Sequence, residues 1–225
     1  MSSDIWQITS FTIVMALLAT IVMLPIGVVL AWILARHRFT GRTIIETALS
    51  LPLVMPPVAT GLILLKLFTS RGPVGRVLEA VGIEVIFTWK AVVLAMAVMG
   101  LPLLVRSART GFEQIDTRYE QIAATLGAGP ARVFFTISLP LASHSVLTGA
   151  VLAFARALGE FGATVMIAGS IPGTRTLAVA IYSYTETGQD AAAAGLLGLS
   201  VVVAFVALLV ANRLQAAQPL LTGHS

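Results

Sequence analysis

Residues 120–140 read EQIAATLGAGPARVFFTISLP, a polar-to-amphipathic stretch set inside a sequence that is otherwise almost continuously apolar. Ile115, Tyr119, Ile122 and Leu126 recur at helical spacing, which predicts a helix over 115–126. Gly127 and the Gly129-Pro130 pair then stop it, because glycine takes left-handed geometry and proline cannot continue a helix. A second short apolar run restarts at Val133 and is expected to end at Pro140. The unit is helix, sharp turn, helix, with the turn pushed away from its apolar surroundings. On the residues alone two readings stand. One is an amphipathic helix lying on a lipid surface; the other is a docking element for a partner protein.

Composition says what surrounds this stretch. The 225-residue chain is 57% hydrophobic and 11% charged, with a mean hydropathy of +0.95. Ordinary globular chains carry about 25% charged residues, so this is an integral membrane protein of one all-α domain over residues 1–225. The net charge of +4 suits contact with anionic lipid. No basic cluster with interleaved aromatics occurs, which excludes nucleic acid as a partner. The absence of cysteine excludes disulfide and thiol chemistry. The start, MSSDIWQ, has no basic region and no small-residue cleavage site, so the first span is expected to be an uncleaved signal anchor.

A hydrocarbon core of about 30 Å needs about 20 apolar residues of helix. Five segments qualify, at about 11–34, 44–68, 89–105, 146–168 and 191–212, with residues 106–144 as a long loop. Orientation follows from lysine and arginine in the short loops. Arg36, Arg38, Arg42, Arg106, Arg109, Arg118, Arg132 and Arg213 fall on one side; Lys66, Arg71, Arg76, Lys90 and Arg175 fall on the other. The excess predicts an external N-terminus, a cytosolic C-terminus and a cytosolic 106–144 loop, within reach of a soluble partner.

Two spans carry unusual residues. In the second, Pro52, Pro56 and Pro57 remove backbone donors and bend the helix. Broken helices at membrane depth occur where they face protein or a water-filled cavity. That makes Pro52, Pro56, Pro57, Thr60 and Gly61 candidates for a pathway or gate, with a simple packing kink as the equal alternative. In the fourth, Arg156 and Glu160 stand four residues apart, which puts them on one helix face near the middle of the span. Charges there are costly, and are either functional or paired. The pair either lines an anion path or neutralises itself and fixes packing, and the packing reading is slightly preferred. Gly149, Gly159, Gly162, Gly195 and Gly198 are expected to let helices approach closely.

Enzyme chemistry finds no foothold. His37, His144 and His224 lack metal-ligand spacing. No Gly-x-Ser-x-Gly elbow occurs. A phosphate-binding loop needs Gly-Lys-Ser/Thr, whereas Lys66 and Lys90 follow Leu65 and Trp89. The chain is expected to be no ATPase, no other enzyme, and to bind no metal or cofactor of its own.

The spacing within 121–140 resembles the loop of permease subunits in ATP-binding-cassette importers. That pattern is Glu-Ala-Ala, three residues, Gly, nine residues, Ile, one residue, Leu-Pro. Gln121, Ile122 and Ala123 take the first three places, Gly127 the glycine, and Ile137, Leu139 and Pro140 the end. Gln121 replaces the acid, with Glu120 beside it, and Ile122 replaces an alanine. The resemblance implies a coupling helix that sits in a cleft of a separate ATPase, carried by Glu120, Gln121, Ala123, Gly127, Ala128, Gly129, Ile137, Leu139 and Pro140.

Residues 51–61, 156–163 and the segment Ser170-Ile171-Pro172-Gly173-Thr174-Arg175-Thr176 extend it to the molybdate importer permeases, over nearly the whole chain. Sulfate and thiosulfate permeases share the 156–163 stretch and are usually longer. The resemblance implies a homodimer in the bacterial inner membrane, two cytosolic ATPase subunits holding ATP and Mg, and a molybdate-binding protein outside. Tungstate, of the same size and charge, is not separated from molybdate. An ion-coupled secondary transporter is the alternative from another class.

Overall fold

The structure is a computed structural model that describes residues 2–216; His224 lies outside them. Along the chain run α1 (Ser2–Arg36), α2 (Arg42–Val54), α3 (Pro57–Phe68), α4 (Pro73–Ala80), α5 (Trp89–Gln114), α6 (Thr117–Thr125) and α7 (Pro130–Val133). A π turn (Phe134–Ser138), α8 (Leu139–Leu158), α9 (Gly162–Ala168), α10 (Leu177–Glu186) and α11 (Asp190–Ala216) follow. The all-α class is as expected. Among the described residues, four helical runs are long and apolar enough to cross a membrane: Asp4–Arg36, Trp89–Gln114, Pro130–Leu158 and Asp190–Val210. α2 and α3 supply a fifth only as a pair, bent by 116° at their junction.

α5 is the central post, with α1 and α8 packed along it. The pattern that puts it there is a stripe of small and flexible side chains on each neighbour. On α1 the buried positions include Thr12, Ala16, Ala19, Met23, Gly27, Ala31 and Leu34; on α8 they include Ala142, Val146, Ala150, Ala153 and Ala157. Steps of three and four keep each set on one face of a 3.6-residue helix. Glycine and serine let α5 and α8 touch backbone to backbone. A Cβ on Gly149 would lie 2.9 Å from Cβ of Ser107, and the Ser107 hydroxyl donates to the Ser145 carbonyl at 2.8 Å. Close approach of this kind is how helices associate where lipid removes the hydrophobic drive.

Several segments depart from the sequence reading. The helix expected to end near Val105 continues to Gln114. Hydropathy marks where a helix leaves apolar surroundings, not where it stops, and Gly111 and Phe112 are still buried in this extension. The 106–144 loop is therefore mostly helical. The run expected to end at Pro140 does not end there. Proline's ring clashes with the carbonyl four residues back in an α-helix. Here the preceding turn is widened to π geometry, with the Leu139 N–H donating to the Phe134 carbonyl, and the helix passes through to Leu158.

The segment 146–168 is not one helix, because it breaks between Leu158 and Gly162. Of the five glycines expected at close contacts, Gly149 and Gly162 make them; Gly159 and Gly198 face open space, and Gly195 makes only an ordinary contact with Ile5.

Candidate functional site

The turn after α6 is built by a full set of end-capping bonds. The Asp116 carboxylate accepts the Arg118 N–H at 2.9 Å and starts the helix. At the other end the Gly127 N–H donates to the Ala124 carbonyl and the Ala128 N–H to the Ala123 carbonyl, each at 3.0 Å. This is a Schellman end, and it requires the left-handed geometry that Gly127 adopts at φ +85°. Pro130 then occupies the first turn of α7, where its missing N–H costs nothing.

None of the α6 residues is buried. Tyr119 and Ile122 are each 58% exposed, Leu126 82% and Phe135, on the π turn, 65%. Arg118, Gln121, Gly129 and Arg132 are exposed beside them. Exposed apolar side chains and basic groups therefore alternate along this segment. The other half of the motif faces the opposite way. Leu139 packs against the cluster of Val28, Leu34, Phe112 and Phe134, and Ile137 is half-buried.

Glu120 also turns inward. Its Oε1 accepts from Arg36 Nε at 3.0 Å and from the Ser138 hydroxyl at 2.7 Å. Sequence did not reveal Arg36 or Ser138 as partners of Glu120, because they lie 84 and 18 residues from it. A second ionic group was also missed. Glu46 Oε1 on α2 lies 2.7 Å from Arg42 Nε and 2.9 Å from Arg109 NH1 on α5, and Arg109 Nε lies 2.7 Å from Glu113 Oε1. The four-residue spacings of Arg42 with Glu46 and Arg109 with Glu113 were visible; the bond joining α2 to α5 was not.

The prolines act as their positions dictate. A residue before proline is pushed out of the α region. Met55 before Pro56 has ψ 146° and Pro56 before Pro57 has ψ 130°, so two successive extended residues unwind the chain. Pro57 then opens α3. Gly61 is not open to a cavity within this chain: a Cβ on it would lie 2.7 Å from Cβ of Met166 and 2.8 Å from Cα of Ala163, both in α9. Thr60 is 6% exposed, and its hydroxyl has no hydrogen-bond partner among the described residues, nor has that of Thr164 in α9.

Arg156 and Glu160 do pair, with NH1 2.9 Å from Oε2, but they do not share a helix. α8 ends at Leu158, and Glu160 lies in the break before α9. Its other oxygen, Oε1, accepts the Ala163 N–H at 2.8 Å. Each charge complements the helix end it adjoins, the guanidinium at the C-terminal turn of α8 and the carboxylate at the first N–H groups of α9. Gly159 supplied the missed signal, since it stands where the helix stops. Arg156 is 28% exposed and Glu160 1%. The pair thus bridges the break that follows α8, and does not sit on one face of a continuous helix.

Residues 23–218 match the protein family described as binding-protein-dependent transport system inner membrane component. The chain is 44% identical over 210 residues to the Molybdenum transport system permease protein ModB of Escherichia coli (strain K12), covering 92% of each. It is 46% identical over 198 residues to the protein of the same name in Mycobacterium tuberculosis (strain ATCC 25618 / H37Rv), covering 87% of this chain and 74% of that one. A probable sulfate transport system permease protein, cysT of Chlorokybus atmophyticus, is 36% identical over 75% of this chain and 62% of its own.

Among solved structures, the MetNI methionine ABC transporter in an inward-facing conformation aligns with a TM-score of 0.65 at 19% identity. That alignment covers 96% of this chain and 94% of that one. A bacterial alginate ABC transporter, in complex with an alginate pentasaccharide-bound periplasmic protein, aligns with a TM-score of 0.68 at 17% identity, over 92% and 76%. At those identities the likeness establishes the fold.

Proposed function

The chain belongs to the family of binding-protein-dependent transport system inner membrane components, and from that membership we propose that it is the permease subunit of an ATP-driven molybdate importer. The observation that carries the anion is the 44% identity to the molybdenum permease of Escherichia coli over 92% of both chains. The sulfate relative matches less of this chain at lower identity, so molybdate takes precedence. Tungstate, with the same charge and size, would follow the same route.

The exposed tip of Tyr119, Ile122, Leu126 and Phe135 is the docking face for a cytosolic ATPase. Gln121, Ala123, Gly127, Ala128 and Gly129 shape that tip, while Ile137, Leu139 and Pro140 root it in α8. ATP and Mg are held by the partner, and this chain binds no cofactor. Two copies of the chain pair in the bacterial inner membrane, each with an ATPase below, and a molybdate-binding protein delivers the anion from outside. The N-terminus faces outward and the C-terminus the cytosol.

Where the two broken helices meet, Pro52, Pro56 and Pro57 set the bend and Gly61 the close contact. The Arg156 guanidinium, 28% exposed, offers donors to a passing oxyanion and Glu160 holds it in place, while the Thr60 hydroxyl is buried at the junction. α2, which fully buries no residue within one chain, is held by the ion pairs of its first turns with α5 and by Leu49 packed on the central cluster, a light attachment that suits a gate helix.

The test is uptake of labelled molybdate into proteoliposomes carrying this chain, its ATPase subunit and its binding protein. Uptake should need ATP and should resist excess sulfate. Uptake driven by an ion gradient without ATP would sink the importer reading, and competition by sulfate would replace the anion.

A further inference from the structure

We propose that Glu120 is a positioning residue that fastens the coupling helix to the three central helices, and that it does not take part in docking the ATPase. The inference deepens, and rests on, the permease reading above.

α6 is poorly anchored by every other means. It buries no residue. Extended residues Ile115 and Asp116 join it to α5, and the left-handed Gly127 opens the turn on its far side. Its large apolar side chains point outward. Among the described residues, each side-chain hydrogen bond from α6 to another element passes through Glu120.

One oxygen of Glu120 collects them. Oε1 lies 3.0 Å from both Arg36 Nε and Arg36 NH2, and 2.7 Å from the Ser138 hydroxyl. Arg36 NH2 also donates to the Ile115 carbonyl at 3.2 Å. Arg36 ends α1, Ile115 is the residue just past the end of α5, and Ser138 closes the π turn that leads into α8. The carboxylate on the coupling helix thus touches α1 and the π turn ahead of α8 directly, and reaches the end of α5 through Arg36.

The side chains are well shielded, Arg36 being 11% and Glu120 19% exposed, and Ser138 is fully buried. Charge-assisted hydrogen bonds shielded this way are strong and geometrically specific. A push on α6 is thus delivered to the ends of α1, α5 and α8 together. The contact at the π turn is the most consequential. That turn is a local departure from α geometry of a kind found frequently at functional sites.

The experiment compares the wild-type complex with Glu120→Gln and with the swapped pair Arg36→Glu plus Glu120→Arg. All are reconstituted with the ATPase subunit and the binding protein. Three quantities are read: ATPase retained on co-purification, ATP hydrolysed, and molybdate transported per ATP. Glu120→Gln should retain the ATPase and hydrolyse ATP, because the outward face is untouched. Transport per ATP should fall about tenfold, the scale of one lost charge-assisted hydrogen bond. The swapped pair should recover a substantial part of it.

Unchanged transport per ATP in Glu120→Gln overturns the proposal. So does loss of the ATPase from Glu120→Gln, which would place the residue in the docking face. If Glu120→Gln fails to accumulate, Ser138→Ala removes one donor to the same oxygen, and a normal transport ratio in that variant overturns the proposal equally. A wild-type chain that retains no ATPase would instead remove the permease reading, and this proposal with it.

Discussion

Pro57 at the start of α3 lies directly against Gly162 at the start of α9. A Cβ on Gly162 would fall 2.8 Å from the Cβ of Pro57 and 2.9 Å from the Val58 nitrogen. The two helix breaks, more than a hundred residues apart in sequence, are therefore one junction. Each break turns its helix so that the new N-terminal segment can pack on the other.

The first prediction follows from that contact. Gly162→Ala should destabilise the assembled protein by about 1–3 kcal/mol, the usual cost of overpacking, since the neighbours are backbone and a rigid ring. Gly61→Ala, against Ala163 and Met166 of α9, should act in the same direction. Gly159→Ala, where a Cβ meets nothing within 4 Å, is the control and should be near neutral. Thermal unfolding of the detergent-solubilised protein measures all three. Equal stability of Gly162→Ala and Gly159→Ala would refute the junction.

Gly127 gives a prediction of a different kind, because the space around it is empty. A substitution there fails through the backbone, not through a clash. At φ +85° a β-branched residue should cost about 1–2 kcal/mol, whereas asparagine tolerates the left-handed region. Gly127→Val should leave insertion intact but lower uptake and weaken ATPase co-purification; Gly127→Asn should keep most of both. If the two variants behave alike, the Schellman end is not what the motif glycine provides.

How much of this was legible beforehand depends on the range of the interaction. Helix class, the apolar runs at 11–34, 89–105 and 191–212, the turn at Gly127 and the unwinding at Pro56 all follow from neighbours in sequence, and sequence displays them. The link from Glu120 to Arg36, the α2–α5 ion pairs and the contact of Pro57 with Gly162 join distant elements, and no local pattern encodes them. Two errors came from treating one residue as decisive. Pro140 was expected to end a helix, but a π turn accommodates it. Arg156 and Glu160 have the spacing of a helical pair, yet Gly159 stops the helix between them.

Orientation can be checked residue by residue, because the chain has no cysteine of its own. A single cysteine at Thr187, an exposed position after α10, should react with an impermeant thiol reagent added outside. A cysteine at Thr40, exposed between α1 and α2, should react only after permeabilisation. External labelling at Thr40 would invert the topology and remove the docking face from the cytosol.

The Arg156–Glu160 pair yields an asymmetric expectation that equal charges would not suggest. Glu160 is 1% exposed and Arg156 28%. Breaking a fully buried pair typically costs about 3–5 kcal/mol, and solvent screening on the arginine side brings this one below that range. Arg156→Met strands a carboxylate that has no access to water, though it keeps the Ala163 N–H. Glu160→Gln retains an oxygen for that N–H and leaves a guanidinium that can still reach solvent. Arg156→Met should therefore reduce the assembled complex in detergent much more than Glu160→Gln. The double variant should recover what Arg156→Met loses, because no charge is left buried. Molybdate uptake by the recovered double variant then separates the two roles. Full assembly with normal uptake assigns the pair to holding α8 and α9 at their break. Full assembly without uptake assigns Arg156 to the anion path, with Glu160 fixing its position. A double variant that assembles no better than Arg156→Met would show that the stranded carboxylate is not the source of the loss.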